Sequence, residues 1–234
     1  MVSRVLENER LAKNVMRMRL TGDTSNCAPG RFAHLQVPGF YLRRPISLCD
    51  WDVISYTLVY KVVGEGTASM ATWRPGFELD AMVGLGRGYD LDAFGERPLL
   101  IGGGSGVPPL YALCKSLTAM GKKPVAALGF NAPDEVFMEE DFSRICETRV
   151  AVGGYVTDVL AGLDCDSLAA CGPEPMLRAV YRAVDLPGQF SFEARMACGV
   201  GACMGCTCVT KLGPKRICAD GPVFRREEIQ WTRG

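Results

Sequence analysis

Cys198-Gly-Val-Gly-Ala-Cys203-Met-Gly-Cys206-Thr-Cys208-Val-Thr-Lys-Leu-Gly-Pro-Lys-Arg-Ile-Cys218 is the stretch round which this chain is arranged. Cys198, Cys203 and Cys206 stand at C-x4-C-x2-C, and Cys218 follows after eleven residues. That is the spacing of a plant-type [2Fe-2S] site, in which thiolates converge on two irons. The loop has to wrap closely with its backbone N–H groups aimed at anionic sulfur, and Gly199, Gly201 and Gly205 lie between the ligands, where the path needs them. Two other readings share the residues. A structural zinc site also uses four cysteines, although it more often pairs two short C-x2-C knuckles, and disulfides are a third use. Cys208, two residues after Cys206, is a spare thiol or an alternative ligand.

Outward from that stretch, the 234 residues suffice for two domains and a small appendage, and 48% apolar content allows a sizeable core. Basic and acidic residues balance at 26 each. A net charge of zero gives no reason to expect nucleic acid or an anionic membrane as partner. No run of about 18 apolar residues is present, and the first ten residues mix charges without the apolar centre of a signal peptide. Eleven cysteines are present; Cys27, Cys49, Cys114, Cys146, Cys165 and Cys171 are scattered in apolar surroundings and read as small core residues. The expected location is the reducing cytoplasm, which suits thiolate ligation of iron.

Residues 1–96 alternate in short runs broken by Pro29-Gly30, Pro38-Gly39 and Pro75-Gly76. Val15 to Leu20, Arg31 to Val37 and Val53 to Val63 read as strands, and the segment is expected to form a small antiparallel β-barrel. Arg43-Arg44-Pro45-Ile46-Ser47 sits between two of those strands. An arginine beside a rigid proline can grip a phosphate with two bonds, and a serine three residues on can meet a ring edge; alone, the segment is equally a solvated strand edge. Gly64-Glu65-Gly66-Thr67 then leads into a short helix expected over Ser69 to Trp73, a second candidate phosphate contact.

Residues 97–187 read as an α/β domain with a parallel sheet. Pro98 to Ile101 is a buried strand, followed by Gly102-Gly103-Gly104-Ser105-Gly106 and a helix from Pro108 to Met120. Strand, glycine loop and helix start make a pyrophosphate site, or a plain tight turn. Strands are expected at Pro124 to Phe130, Thr148 to Val152 and Ser167 to Cys171, and helices at Asp134 to Phe142, Val156 to Leu163 and Glu174 to Val184. No acidic residue stands cleanly at the end of the second strand, where a ribose 2′ position would be read. Cys171-Gly172-Pro173 closes the last strand, at the edge where open α/β sheets bind ligands. Residues 188–234 form the small C-terminal cluster domain.

The barrel with Arg-Pro-Ile-Ser and Gly-Glu-Gly-Thr resembles the flavin domain of the ferredoxin-NADP reductase superfamily. That resemblance implies that Arg44 binds the FAD pyrophosphate with Gly66 and Thr67, and that Ser47, after Pro45 and Ile46, approaches the isoalloxazine N5. Cys171-Gly172-Pro173-Glu174-Pro175-Met176 resembles the superfamily element that faces nicotinamide. Glu193-Ala-Arg-Met-Ala-Cys198, with Cys218-Ala-Asp-Gly-Pro-Val-Phe224 after the loop, is similar to electron-transfer subunits of class 1B dihydroorotate dehydrogenases, and this resemblance spans the chain.

It implies FAD, a [2Fe-2S] cluster and NAD(H) as cofactors, and an FMN-containing catalytic subunit as partner in a heterotetramer with two copies of each chain. NADH gives a hydride and a cluster takes one electron at a time, so the flavin is expected to split the pair. No side chain reads as a general base for an organic substrate; the single histidine, His34, falls in a barrel strand and reads as structural. Two alternatives remain: the small subunit of a sulfide dehydrogenase or of an NADH-dependent ferredoxin-NADP oxidoreductase, and a zinc-stabilised interaction protein without redox activity.

Overall fold

Alternation in the first third of the chain is realised as strands that bury one side each. The computed structural model describes residues 2–231; Met1 and residues 232–234, the outer ends of the first and third expected domains, lie outside it. Six strands, β1 (Val2–Ala12), β2 (Val15–Thr21), β3 (Phe32–Leu35), β4 (Arg44–Trp51), β5 (Ser55–Lys61) and β6 (Glu78–Leu85), close into an antiparallel barrel in the order β1-β2-β5-β4-β3-β6. Met18, Leu20, Leu35, Leu48, Tyr56 and Leu58 fill it and are fully buried. Each such side chain contributes about 1.5–3 kcal/mol by leaving water.

β1, β4 and β6 lie outside the three strands expected in this segment. β1 is charged at most outward positions, and β4 opens on Arg44-Pro45, so neither shows a clean apolar alternation. Helix α1 (Glu65–Ala71) begins four residues before the expected start at Ser69. Thr67 explains the shift: its Oγ1 accepts the Val63 and Gly64 N–H groups and donates to the Gly64 carbonyl, which starts the helix at once.

Continuous apolar runs replace alternation after residue 97, because strands covered on both faces have no polar side. β7 (Pro98–Gly103), α2 (Val107–Ala119), β8 (Val125–Phe130), α3 (Glu139–Ser143), β9 (Glu147–Val152), β10 (Ser167–Cys171) and α4 (Glu174–Ala183) follow in order. Leu110, Leu113, Cys114 and Leu117 of α2 pack on one face of the sheet, and Leu177, Val180 and Tyr181 of α4 on the other. Two expected helices are shorter than the pattern implied. Met138 takes a φ of 61° and confines the first to Glu139–Ser143. The second is a single 3-10 turn, Val156–Val159, because Arg149 Nη1 takes the carbonyls of Val159 and Ala161 that a longer helix would use.

The last segment returns to the same sheet. β11 (Gly188–Ser191) lies parallel to β10, the hairpin β12 (Thr207–Thr210) and β13 (Gly213–Arg216) projects beyond it, and β14 (Val223–Arg225) adds antiparallel to β11. The sheet order is therefore β14-β11-β10-β7-β8-β9. A boundary at residue 187 falls between β10 and β11, and the cysteine-rich segment is an excursion between β11 and β14. Cys206, Ile217 and Cys218 join the buried group that includes Leu99, Ile101 and Phe190, so the excursion is anchored on the sheet's own core. Barrel and sheet are tied by Lys61 Nζ to Glu135 at 2.9 Å, Lys13 to Asp134 at 2.9 Å and Lys115 to Asp50 at 2.7 Å.

Candidate functional site

The chain leaves β11 at Ser191, runs through residues 192–206 without regular structure, and comes back through the β12–β13 hairpin to Cys218. Pairing of Thr207 with Arg216 in that hairpin brings Cys206 and Cys218 side by side. Each of the four expected ligand sulfurs accepts a backbone N–H. Gly201 N donates to Cys218 Sγ at 3.1 Å and Cys218 N to Cys206 Sγ at 3.3 Å. Cys203 N donates to Cys198 Sγ at 3.4 Å and Gly205 N to Cys203 Sγ at 3.5 Å.

The backbone thus joins the cysteines two by two, Cys203 N to Cys198 Sγ and Cys218 N to Cys206 Sγ. Among the described residues, no three His, Cys, Asp or Glu groups gather as they do round one ion. Two pairs suit two irons with two thiolates each, and N–H groups aimed at sulfur suit its negative charge, so the residues fit a [2Fe-2S] cluster. The backbone N–H groups of Cys203 and Val200 lower the Cys198 thiol to about 6. Burial beside Cys206 pushes the Cys218 thiol up to about 12. Cys208 lies in β12 opposite Lys215 and packs against the buried group that holds Cys206 and Cys218; burial, with the nearby Cys206, raises its thiol.

Two supports of this loop were not among the expected site residues. Arg216 is held by Asp220, Nε to Oδ2 at 2.9 Å, and its Nη1 donates to the Gly201 carbonyl at 3.1 Å. Gly201 in turn bonds Cys218 sulfur, so the ion pair braces a ligand. The sequence signal was an opposite-charge pair four apart, too common to single out. The second support is His34, expected as structural. It is fully buried in β3, and neither ring nitrogen has a hydrogen-bond partner among the described residues. Its ring lies against Gly199, whose φ is 72°; a Cβ there would stand 2.3 Å from Nδ1. Burial and the Arg43 charge lower its basicity, which keeps the ring neutral near pH 7.

β4 carries Arg44, Pro45, Ile46 and Ser47, with Ser47 opposite Phe32 and half-buried. The Arg44 guanidinium lies over the Phe40 ring, 5.0 Å from its centroid, and donates to the Leu42 carbonyl. It also covers Gly66, where a Cβ would meet Nε at 2.4 Å. Arg44 and the first turn of α1 therefore converge, as two contacts to one phosphate group would require. The Thr67 hydroxyl is committed to Val63 and Gly64.

Gly102 to Gly106 and Cys171 to Pro173 also come together, at the carboxyl ends of β7 and β10. A Cβ on Gly106 would lie 2.1 Å from the Cys171 carbonyl oxygen, and one on Gly103 would lie 2.3 Å from Met176 Sδ. Cys171 is buried, and its thiol is raised by that burial and by Glu193. Ser105 Oγ donates to Glu193 at 2.9 Å, joining the glycine loop to the segment that enters the cluster loop. Glu193 was quoted in the sequence for its neighbours and not for a role. Beside the loop a cleft is lined by Val59, Tyr60 and Lys61 of the barrel and by Phe130, Glu135 and Phe137 of the sheet side. Glu135 lies in that cleft, where Lys61 Nζ donates to its Oε1 at 2.9 Å and Asn131 Nδ2 to its Oε2 at 3.5 Å.

A flavin-type barrel, a nucleotide-type parallel sheet and a cysteine loop in one chain place the fold in the ferredoxin-NADP reductase class. A solved NADH-dependent reduced ferredoxin-NADP oxidoreductase chain superposes with a TM-score of 0.90 at 25% identity, covering 99% of this chain and 90% of that one. Phthalate dioxygenase reductase shares the fold over 78% of this chain and 63% of its own, with a TM-score of 0.61 at 18% identity. Residues 193–230 match the family described as the iron-sulfur cluster binding domain of dihydroorotate dehydrogenase B. The dihydroorotate dehydrogenase B (NAD(+)) electron transfer subunit of Fusobacterium nucleatum is 41% identical over 97% of this chain and 96% of its own length, and that of Bacillus caldolyticus is 45% identical over 86% of each. The chain belongs to the family of dihydroorotate dehydrogenase B electron transfer subunits.

Proposed function

We propose that this chain carries electrons between NAD(H) and a catalytic subunit that oxidises dihydroorotate to orotate, in pyrimidine synthesis. The observation that carries the reading is the pairing of Cys198 with Cys203 and of Cys206 with Cys218, each sulfur met by a backbone N–H, in a loop that touches the flavin-type barrel through His34 and Gly199.

In this reading Arg44, with the backbone of Gly66 and Thr67, holds the FAD pyrophosphate, and Ser47 lies at the flavin ring edge between Pro45, Ile46 and Phe32. Gly102, Gly103, Gly104, Ser105 and Gly106 hold the NAD(H) pyrophosphate, with Cys171, Gly172 and Pro173 beside the nicotinamide. Cys198, Cys203, Cys206 and Cys218 hold the [2Fe-2S] cluster. Bound together, these groups supply exchange between a two-electron hydride carrier and a one-electron carrier. The chain's own part is to position them, to exclude water, and to set potentials through the N–H groups on sulfur.

The catalytic partner is taken to be an FMN-containing subunit, in a heterotetramer of two copies of each chain. Val200 and Met204, near the exposed Cys203 in the loop, are exposed, as are Val209 and Leu212 on the hairpin that follows. They mark the surface we assign to the partner. Among the described residues no helix is long and apolar enough to cross a membrane. A cytoplasmic location is proposed because a reducing compartment suits thiolate ligation of iron, and the balanced charge gives no support to nucleic acid binding.

An anaerobic visible spectrum before and after NADH, with flavin and iron assayed on the same sample, tests the reading. About one FAD and about two irons per chain, bleached by NADH, are expected. Cys203→Ser should remove the cluster absorption and spare the flavin; zinc in place of both groups would refute the proposal. A second reading, the small subunit of an NADH-dependent ferredoxin-NADP oxidoreductase, is favoured by the 0.90 superposition. Dihydroorotate-dependent NAD reduction by the reconstituted complex separates the two.

A further inference from the structure

Cys114 and Cys146 lie outside every site described above, and the sequence pattern marks both as core residues. Cys114 sits on the sheet-facing side of α2 with no exposed surface; Cys146 is half-buried just before β9. Their sulfurs are 3.5 Å apart although the residues are 32 positions apart in the chain. A disulfide needs about 2.05 Å between sulfurs. Closing that gap takes a shift of about 1.5 Å, within the reach of side-chain rotation.

The two thiols are chemically unequal. Cys114 donates its S–H to Cys146 Sγ, and Thr148 Oγ1 lies 3.7 Å from the same sulfur. The donated bond lowers the Cys146 thiol below its ordinary value, while that bond and burial raise Cys114. Cys146 also lines an open cleft of about 330 Å³ with Arg97, Lys122, Lys123 and Glu147; Arg97 pairs with Glu147 at 2.8 Å, and the Glu147 charge opposes the lowering of the Cys146 thiol. Cys114 stands behind it. A cleft-lining thiol with a second thiol poised against it is the arrangement of a redox-reactive cysteine pair.

We propose that Cys146 and Cys114 form a dithiol site that reacts with small hydroperoxides, Cys146 attacking and Cys114 resolving. The Cys146 thiolate attacks one peroxide oxygen; an S–O bond forms, the O–O bond breaks, and the other oxygen leaves as hydroxide or alkoxide. The Cys114 thiol then attacks that sulfur; the S–S bond forms, the S–O bond breaks, and water leaves with the thiol proton. Two electrons pass from the thiols to the peroxide. The inference is independent of the electron-transfer reading, since neither cysteine is itself assigned to a cofactor.

The test exposes the flavin- and cluster-loaded full chain to a small molar excess of hydrogen peroxide without oxygen. Remaining thiols are alkylated, and the non-reduced digest is read by mass spectrometry. The expected product joins the Cys114 and Cys146 peptides, two hydrogens lighter than their sum, at a dose that leaves Cys49 and Cys171 alkylatable. In C146S, Cys114 should stay alkylatable; in C114S, Cys146 should pass to sulfinic or sulfonic acid, its resolving partner gone. Should either variant fold poorly, the native wild-type chain still reports, with Cys146 taking up iodoacetamide about tenfold faster than Cys114. Recovery of both residues as free thiols while other cysteines oxidise would overturn the proposal, as would Cys146 joined to a different cysteine.

Discussion

Gly199 of the cluster loop lies against the imidazole of His34 in the barrel, so close that a Cβ at position 199 would stand 2.3 Å from Nδ1. This is one contact by which one part of the proposed electron path touches the next, beside the Arg87 N–H that donates to the Gly221 carbonyl at 2.6 Å. The contact at Gly199 is made by a residue with no side chain and by a neutral, fully buried ring. Neither has chemistry of its own to announce it. Both keep the loop at a fixed short distance from strand β3, which pairs with the Ser47 strand.

Gly199→Ala therefore perturbs the loop in two ways. The added methyl meets a ring that has nowhere to go, and φ of 72° disfavours any L side chain by roughly 1–2 kcal/mol. The purified variant should contain less than about half the iron of the wild type and unchanged flavin. Iron and flavin assays on one sample check this, and full iron content would show that the loop has slack.

Arg44→Ala removes the charge that meets the first turn of α1. Hydrogen bonds to a charged group are worth about 1.5–3 kcal/mol, so FAD should bind roughly 10- to 100-fold more weakly, with the cluster retained. The ratio of flavin to iron after gel filtration measures it. An unchanged ratio would remove Arg44 from the phosphate site.

How much of this was legible depended on whether the signal was covalent or conformational. Cys198, Cys203, Cys206 and Cys218 stood out because ligand spacing constrains the sequence directly, and in the structure Cys203 meets Cys198 while Cys218 meets Cys206. The β7 run and its glycine loop were equally plain, since a doubly covered strand has no reason to carry polar residues. Strands β1 and β4 were hidden because their charged outer faces and Arg44-Pro45 break the alternation that marks a half-buried strand. The short 3-10 turn at Val156–Val159 depends on Arg149, seven residues upstream of Val156, reaching across to its carbonyls. His34 and Asp220 act through contacts made only after folding, and no local pattern carries those.

Asp220→Asn tests the brace on the ligand loop. It weakens the grip on Arg216, whose Nη1 holds the Gly201 carbonyl, while Gly201 N bonds Cys218 sulfur. The ion pair is partly exposed, so its loss is worth at most about 1 kcal/mol. Cluster loss to a chelator should run roughly two- to fivefold faster, with the initial spectrum unchanged. A loss rate equal to that of the wild type would make the pair a bystander.

Gly106→Ala tests whether the two halves of the nucleotide site depend on each other. The new Cβ would lie 2.1 Å from the Cys171 carbonyl oxygen, 2.2 Å from its carbon and 2.4 Å from Gly172 N, all backbone atoms that cannot swing aside. Either the start of α2 moves away from the end of β10 or the β10 turn moves, and both carry residues assigned to NAD(H). Overpacking of this kind costs about 1–3 kcal/mol. The expected result is a rise of roughly tenfold in the KM for NADH with iron and flavin contents unchanged. Both contents falling together would indicate general misfolding, and a normal KM would mean that the glycine loop and the Cys171 turn serve the fold without meeting the nucleotide.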